Sequence, residues 1–561
     1  MGSNHASVLQ LPLAQTNRKY PIDGQVLKEF VEAALIWLKT NQQIVNSLNV
    51  FPVPDGDTGT NMVLTMQSAY NEILHSPEKN VGKMAHMVAH GALMGARGNS
   101  GVILSQLWRG LARGLDHLEE IDGPSFVKAL AEGRDTAYKG VVRPVEGTIL
   151  TVAKDVASAA ATALSETQDP YTILEKIVPA AAVSVEHTPE LLPVLKEAGV
   201  VDSGGKGLFY ILEGMLRYIN GQSLEIPVAS VRPLASMILQ ETTEAIEPGQ
   251  DYELVIDFKP KNTLDLESFY THLEETGTSI QLGEGDGIYR LHIHVPTEKR
   301  YQPIDYTMSL GTVTKVSIEN LIEQMNQNGS QDPGKLKLAP VSPDQIAVVT
   351  VSPGPGIARV FASLGAAAIV EGGQTMNPST KEILAAFENF PTDKIIILPN
   401  NKNIILAAQT AAEMTVKKVF VVPSRTVPQG LAAIMRLAPE GDLNAVVKDM
   451  NNSLDDVETA EITIATRSVE IDNVAVQEGE IIALHNGKLV LSAASLEEAC
   501  IGVLEKAHAD HFELITLFYG ADISKNDANL IGDSIRQAFP EQEIEVQEGG
   551  QPHYQFIISI E

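Results

Sequence analysis

The chain has 561 residues, enough for three or four domains, because a single hydrophobic core seldom outgrows about 250–300 residues. Its 44% hydrophobic and 20% charged residues exclude a disordered or collagen-like chain, and no run reaches the ~18–20 apolar residues of a bilayer-crossing helix. A balance of 41 basic against 71 acidic residues leaves a net charge of −30, which argues against a nucleic-acid partner, and the single cysteine, Cys500, excludes an intrachain disulfide and any multi-cysteine zinc site.

The opening MGSNHASVLQLPLAQTNRKYPID lacks the basic-then-apolar pattern of a secretory signal, so a cytoplasmic protein is expected. From Asp23 to Tyr218 apolar residues recur at helical spacing, first at Leu27, Phe30, Val31, Ala34, Leu35 and Leu38. Gly- and Pro-rich connectors interrupt these helices, which predicts an all-α domain over residues 21–222 with its special residues in loops. Beyond Tyr218 a strand is expected at Tyr252–Phe258 and a helix around Leu264–Glu275. A hairpin should follow, turning at Asp286-Gly287 into LHIHV, with a second helix around Ile318–Met325. This makes a small α+β middle domain over residues 246–330. NGSQDPGKLKLAPVSPD then reads as a linker. From Ile346 the short apolar runs IAVVTV, KIIIL and KVFVV alternate with helical stretches, and ITIA, LITLF and YQFIISI add strands. That rhythm predicts an α/β domain over residues 344–561 with a largely parallel sheet.

The sharpest chemical signal lies in the helical domain, in Asn49-Val-Phe-Pro-Val-Pro-Asp55-Gly-Asp57-Thr58-Gly59-Thr60-Asn61. Pro52 and Pro54 stiffen the approach and the glycines permit a tight turn. Asp55 and Asp57 can aim both carboxylates at one spot, where at ~4 Å they repel by roughly 4 kcal/mol at an effective dielectric of 20. A bound cation removes that repulsion, and magnesium favours such oxygen ligands. A lone Asp-Gly pair is more often a solvated turn. An EF-hand loop fails, since the twelfth position from Asp55 is Met66 where a bidentate Glu is required.

Two further glycine-rich segments open helices. Gly95-Ala-Arg-Gly98-Asn99-Ser100-Gly101 would expose backbone N–H groups to a phosphate, although glycines before a helix more often serve packing. Asp202-Ser203-Gly204-Gly-Lys206-Gly is not a Walker A loop, because Gly207 follows the lysine and Val200 stands at the first glycine position. In the C-terminal domain Ser352-Pro-Gly354-Pro-Gly356 reads as a tight connector, its prolines lacking N–H donors. Glu371-Gly-Gly-Gln374, Asn400-Asn401 and Ser424-Arg425 end or follow expected strands, where they would form a docking surface, a second ligand site or ordinary turns.

Together DGDTGTN, GNSG and DSGG resemble the nucleotide-binding L domain of bacterial dihydroxyacetone kinases (DhaL-like). The fuller LNVFPVPDGDTGTNM, with EGGQTMNPST, ILPNNKNI and VVPSRTVPQG, is more similar to the A-type chain of bacterial fatty acid kinase, along nearly the whole length. The resemblance implies an antiparallel helical barrel holding ATP at one end. Asn49, Asp55 and Asp57 would be the Mg²⁺ ligands, with Asp55 and Asp57 catalytic. Asn49 replaces an Asp of the dihydroxyacetone kinase pattern. Thr58, Gly59, Thr60 and Asn61, then Gly98, Asn99 and Ser100, would contact phosphate. Thr148 and Ile149 would meet the base, and Asp202, Ser203 and Gly204 would close over the nucleotide. In the middle domain His292 and His294, two apart on a strand, resemble part of a family zinc site whose cysteine is here matched by Asp251. Two solvent-facing strand histidines are the plainer account.

The implied activity is transfer of the ATP γ-phosphate to a fatty acid carboxylate, giving an acyl phosphate for phospholipid synthesis. Such a carboxylate, with a pKa near 4–5, is already ionised at neutral pH, so no general base is needed. The resemblance also implies a separate fatty acid-binding partner protein, docked by the later domains, and a homodimer. A non-catalytic nucleotide-sensing scaffold and the nucleotide-binding component of a dihydroxyacetone-type (glycerone) kinase remain open as alternatives.

Overall fold

A computed structural model describes residues 17–49, 56–141, 143–224, 232–233, 252–261, 264–274, 276–285, 288–320, 336, 338–374, 376–465, 469–471 and 474–561. The chain divides into two compact units, one formed by residues 1–224 with 336–561, the other by residues 225–335.

In the first unit the chain begins with helices α1 (Gly24–Thr40), α2 (Gln42–Ser47), α3 (Thr58–Ile73), α4 (Val81–Met94), α5 (Gly98–Gly114), α6 (Gly123–Lys139), α7 (Ile149–Leu164), α8 (Pro170–Leu191), α9 (Pro193–Glu197) and α10 (Ser203–Ile219). Their starts are chemically marked. Asp23 accepts from the N–H groups of Gln25 and Val26 ahead of α1, and Asp122 and Ser125 form a capping box on α6. The anticipated stripe on α1 is buried, with Val31, Ala34 and Leu38 fully enclosed. It joins a single apolar core that runs from Ile22 to Ile219. No described helix is long and apolar enough to cross a membrane.

The C-terminal half of this unit carries two sheets. β6 (Ala347–Ser352), β7 (Ala368–Glu371), β8 (Lys394–Leu398) and β9 (Lys418–Val421) are all parallel, in the order β7-β6-β8-β9. The helices α13 (Pro355–Ser363), α14 (Thr380–Glu388), α15 (Ile405–Glu413), α16 (Val427–Ile434) and α17 (Leu443–Ser453) alternate with these strands or follow them. The SPGPG segment is the tight connector anticipated: Gly356 and Ile357 donate their N–H groups to the Gly549 carbonyl, and a Cβ on Gly356 would meet the Glu548 carbonyl oxygen at 1.9 Å.

The tail strands form a sheet of their own. β10 (Glu458–Ile464), β13 (Ile481–His485), β14 (Lys488–Ala493), β15 (Leu514–Tyr519), β16 (Glu543–Glu548) and β17 (Tyr554–Ile560) are ordered β14-β13-β10-β17-β15-β16 and pair antiparallel except for β15 with β16. A ribbon of β11 (Val469–Ile471) and β12 (Val474–Val476) forms a ladder of its own, with Val476 packed against Ile482 and Leu489 of that sheet. Helix α18 (Leu496–Lys506) covers the sheet and buries Cys500 completely.

The second unit is a small α+β layer with sheet order β1-β3-β4-β2-β5. It comprises β1 (Arg232–Pro233), β2 (Tyr252–Pro260), β3 (Thr278–Gly285), β4 (Ile288–Val295) and β5 (Gly311–Asn320), with α11 (Leu266–Glu274) and α12 (Gln302–Leu310). The expected hairpin is present as β3 and β4, although its turn, Asp286-Gly287, lies outside the described residues. The helix expected from Ile318 does not start there. Ile318 pairs with Leu254 inside β5, a full-length partner of β2, so cross-strand pairing overrides the local helical pattern.

Candidate functional site

Four helices of the first unit begin beside one another. The Ser203 hydroxyl at the start of α10 donates to Thr58 Oγ1 at the start of α3, at 3.3 Å. A Cβ on Gly98, which opens α5 with φ +56°, would lie 2.6 Å from the Asn61 amide nitrogen in the first turn of α3. A Cβ on Gly204 would stand 3.3 Å from Ile149 Cβ, at the start of α7. Helix N-termini carry N–H groups that no preceding turn uses, and their dipoles add where they converge, which makes this end a ready anion cradle.

The loop residues are held from behind. Thr60 Oγ1 accepts from Gln42 Nε2 at 2.9 Å and from Asn46 Nδ2 at 3.1 Å. A Cβ on Gly59 would meet the Gln42 carbonyl oxygen at 2.4 Å, so α3 starts hard against α2. Thr148 caps α7 through the Leu150 N–H at 3.4 Å. Asp202 caps α10 through the Gly205 N–H at 2.6 Å, and burial pushes its carboxyl up to about 6. Lys206 lies over the rings of Phe209 and Tyr210, at 4.9 and 5.4 Å from their centroids, as befits a loop that is not Walker A.

Asp57 is buried, and its Oδ2 accepts from Asn377 Nδ2 at 2.5 Å. Asn377 belongs to the loop before α14, in the α/β half, and its Oδ1 is buried with no hydrogen-bond partner among the described residues. The same loop holds Arg97, whose guanidinium donates to the Asn377 carbonyl at 2.9 Å and to Glu382 at 3.2 Å. Asn99 donates to Asn403 at 3.3 Å, and Ser100 is half-buried in the first turn of α5. Asn49 is described, its N–H bonded to the Asn46 carbonyl, whereas Asp55 lies outside the described residues. Sequence reasoning passed over Asn377, 320 positions from its partner. It stands within EGGQTMNPST, where no spacing sets it apart from its neighbours.

The second unit gathers a different set. Glu253 on β2 stands opposite His294 on β4, and His292 is two residues along the same face. The His292 and His294 Nε2 atoms are 3.2 Å apart, and His292 Nδ1 is 3.4 Å from Glu253 Oε1. All three ligand atoms lie within 4.8 Å of one another. Asp251 lies outside the described residues. The carboxylate the structure brings to the two rings is Glu253, two residues on and of the same strand parity.

The C-terminal domain model of the FakA-like fatty acid kinase family matches residues 347–561, the middle-domain model of that family residues 247–328, and the DAK2 domain residues 52–217. Protein YloV of Bacillus subtilis is 38% identical over 553 residues, covering 96% of this chain and 99% of that protein. An uncharacterized protein of Staphylococcus epidermidis is 38% identical over 554 residues with the same coverage. Among solved structures, the Streptococcus pneumoniae fatty acid kinase B3 protein loaded with linoleic acid matches 38% of this chain and 99% of its own, at 12% identity and TM-score 0.28. Dihydroxyacetone kinase from C. freundii with AMP-PNP and Mg²⁺ matches 39% of this chain and 37% of its own, at 17% identity and TM-score 0.28. Structural likenesses of that size carry no functional argument.

Proposed function

The chain belongs to the FakA-like fatty acid kinase family, and from that premise we propose that it transfers the γ-phosphate of ATP to a fatty acid carboxylate presented by a separate lipid-binding protein. The observation that carries this reading is the convergence of the α3, α5, α7 and α10 starts beside a buried aspartate. In this reading Thr58–Asn61 and Gly98–Ser100 hold phosphate oxygens, Thr148 and Ile149 meet the base, and Asp202–Gly204 close over the nucleotide. Asn49, Asp55 and Asp57 would hold magnesium. The donor set fits that ion: Asp57 supplies a carboxylate, and the partnerless Asn377 Oδ1 beside it is a further oxygen acceptor among the described residues. When bound, magnesium supplies neutralisation of the charge on the transferring phosphoryl group.

The chain's own part is alignment and the exclusion of water. An ionised carboxylate acceptor needs no base. Within the helical half, the apolar void between α5, α6, α7 and α10 measures about 80 Å³. Ligand pockets typically measure ~300–1,000 Å³, so this void is too small for a long acyl chain, which supports a carrier that presents the carboxylate. In the second unit, Glu253, His292 and His294 make a His₂Glu set suited to zinc with an open position.

The test is incubation with labelled ATP, magnesium, oleate and a lipid-binding protein from the same genome, followed by hydroxylamine trapping. An acyl hydroxamate that requires all four components is expected. ATP consumption driven by dihydroxyacetone and indifferent to oleate would assign the chain to ketose phosphorylation instead.

A further inference from the structure

The α/β half reaches into the end of the helical half where the four helices start. Ala96 and Val102, on either side of the α5 start, are buried in the apolar core of the parallel sheet and not in that of the helices. The backbone is clasped at the same place. The Thr380 N–H donates to the Ala96 carbonyl at 3.2 Å, and Arg97 donates to the Asn377 carbonyl at 2.9 Å. Arg97 also reaches Glu382, whose carboxylate closes the capping box on Ser379, so one guanidinium ties the loop to the first turn of α14. The chain is thus held at Asn377 and just beyond it, with the Asn377 side chain aimed at Asp57.

Asn377 is 2% exposed, and the two ends of its amide differ. Nδ2 donates to Asp57 Oδ2, whereas Oδ1 is enclosed and takes no donor from the described residues. An amide oxygen loses its water on burial, so a fold ordinarily gives it a donor. The nearest guanidinium does not supply one, because Arg97 turns its donors to the Asn377 backbone carbonyl and to Glu382. Room beside the amide is kept by Gly98: a Cβ there would stand 3.5 Å from Asn377 Nδ2 and 2.6 Å from Asn61 Nδ2, so a side chain at that position would crowd both. A bare amide oxygen next to a buried carboxylate suits a small hard cation or the water bound to one.

We infer that Asn377 is a ligand, direct or through one water, of the magnesium that accompanies the nucleotide, and that the site is complete only when the α/β half is clasped onto the helical half. This rests on the kinase reading and extends it, since the α/β half then serves the nucleotide site itself as well as partner docking. A cation held from both halves favours the clasped pair by its differential affinity, and the clasp raises the affinity for the cation by the same factor.

The test titrates magnesium by calorimetry into the full chain held with the non-hydrolysable nucleotide AMP-PNP. Asn377→Leu keeps the volume and removes the oxygen, so the magnesium dissociation constant should rise about tenfold or more, as it does when a group that ligates or orients a metal is lost. Asn377→Asp discards the N–H that Asp57 accepts but keeps the oxygen, and should bind magnesium at the parental level or more tightly. A role confined to the N–H bond with Asp57 predicts instead that both variants lose the ion alike. Hydrogen exchange on the parent gives a second readout that needs no variant. Magnesium with AMP-PNP should protect the amides of residues 376–382, and AMP-PNP with a chelator should not. Equal magnesium affinity in the parent and Asn377→Leu, equal loss in both variants, or no protection of that segment would overturn the inference and leave the kinase reading standing. A parent that binds no magnesium nucleotide would defeat both.

Discussion

Asp57, buried, in contact with the α/β half and at the N-cap of α3, is the side chain on which the proposed chemistry rests. Asp57→Asn preserves its shape and removes its charge. Acyl hydroxamate formation should fall by ~10²–10³-fold or more, with the melting temperature held within a few degrees. Near-parental turnover would relocate the site. Asp202 makes a separate prediction through acidity. Its carboxyl is pushed up to about 6 by burial, above the ~3.9 of an unfolded chain. As pH rises from about 4 to 6 the unfolded form ionises while the folded form does not, so stability is lost across that window. Above about pH 6 the penalty is constant, on the order of 3 kcal/mol. Asp202→Asn keeps an acceptor for the Gly205 N–H, so it should melt above the parent at about pH 7.5, with a gain that shrinks towards pH 4.5. An equal gain at both values would refute the ionisation argument.

At the scale of strands and helices, the β2–β4 register is what brings Glu253, His292 and His294 together. Metal analysis of the purified chain should find about one zinc per chain. It should be lost in His292→Ala and kept in Cys500→Ser, whose side chain lies elsewhere; equal zinc in both variants would exclude the site. Local pattern announced much of this architecture. The α1 stripe was readable from its spacing, and the largely apolar β6 and β8 runs announced a buried parallel sheet. Asp202 was legible as part of a helix start, and its capping bond is in place. What failed was non-local. Ile318 lies in a strand because β2 pairs with it, and the tail strands form their own sheet because β10 pairs with β17, almost a hundred residues on. Asn377 reaches Asp57 across 320 positions, a separation over which no periodicity carries information. Glu253 was not named from the sequence, where the family resemblance matched the third ligand to Asp251, a residue outside the described ones.

Across the molecule, the helical half owns a closed core, from Ile22 to Ile219, that borrows no residue from the α/β half. A chain ending at Leu224 should therefore fold and still bind magnesium-ATP by calorimetry, more weakly than the full chain because it has lost Asn377 beside Asp57. It should form no acyl phosphate, having lost the parts assigned to partner docking. Full turnover by that fragment would refute the division of labour. The burial of Cys500 under α18 has a consequence of another kind. Burial alone pushes its thiol well above the ordinary cysteine range, and it is the only thiol in the sequence. Ellman's reagent should leave the native protein unlabelled and count one group after denaturation. Peroxide and glutathione exchange then have no accessible sulfhydryl to grip in the native fold, so thiol-directed oxidation leaves it untouched.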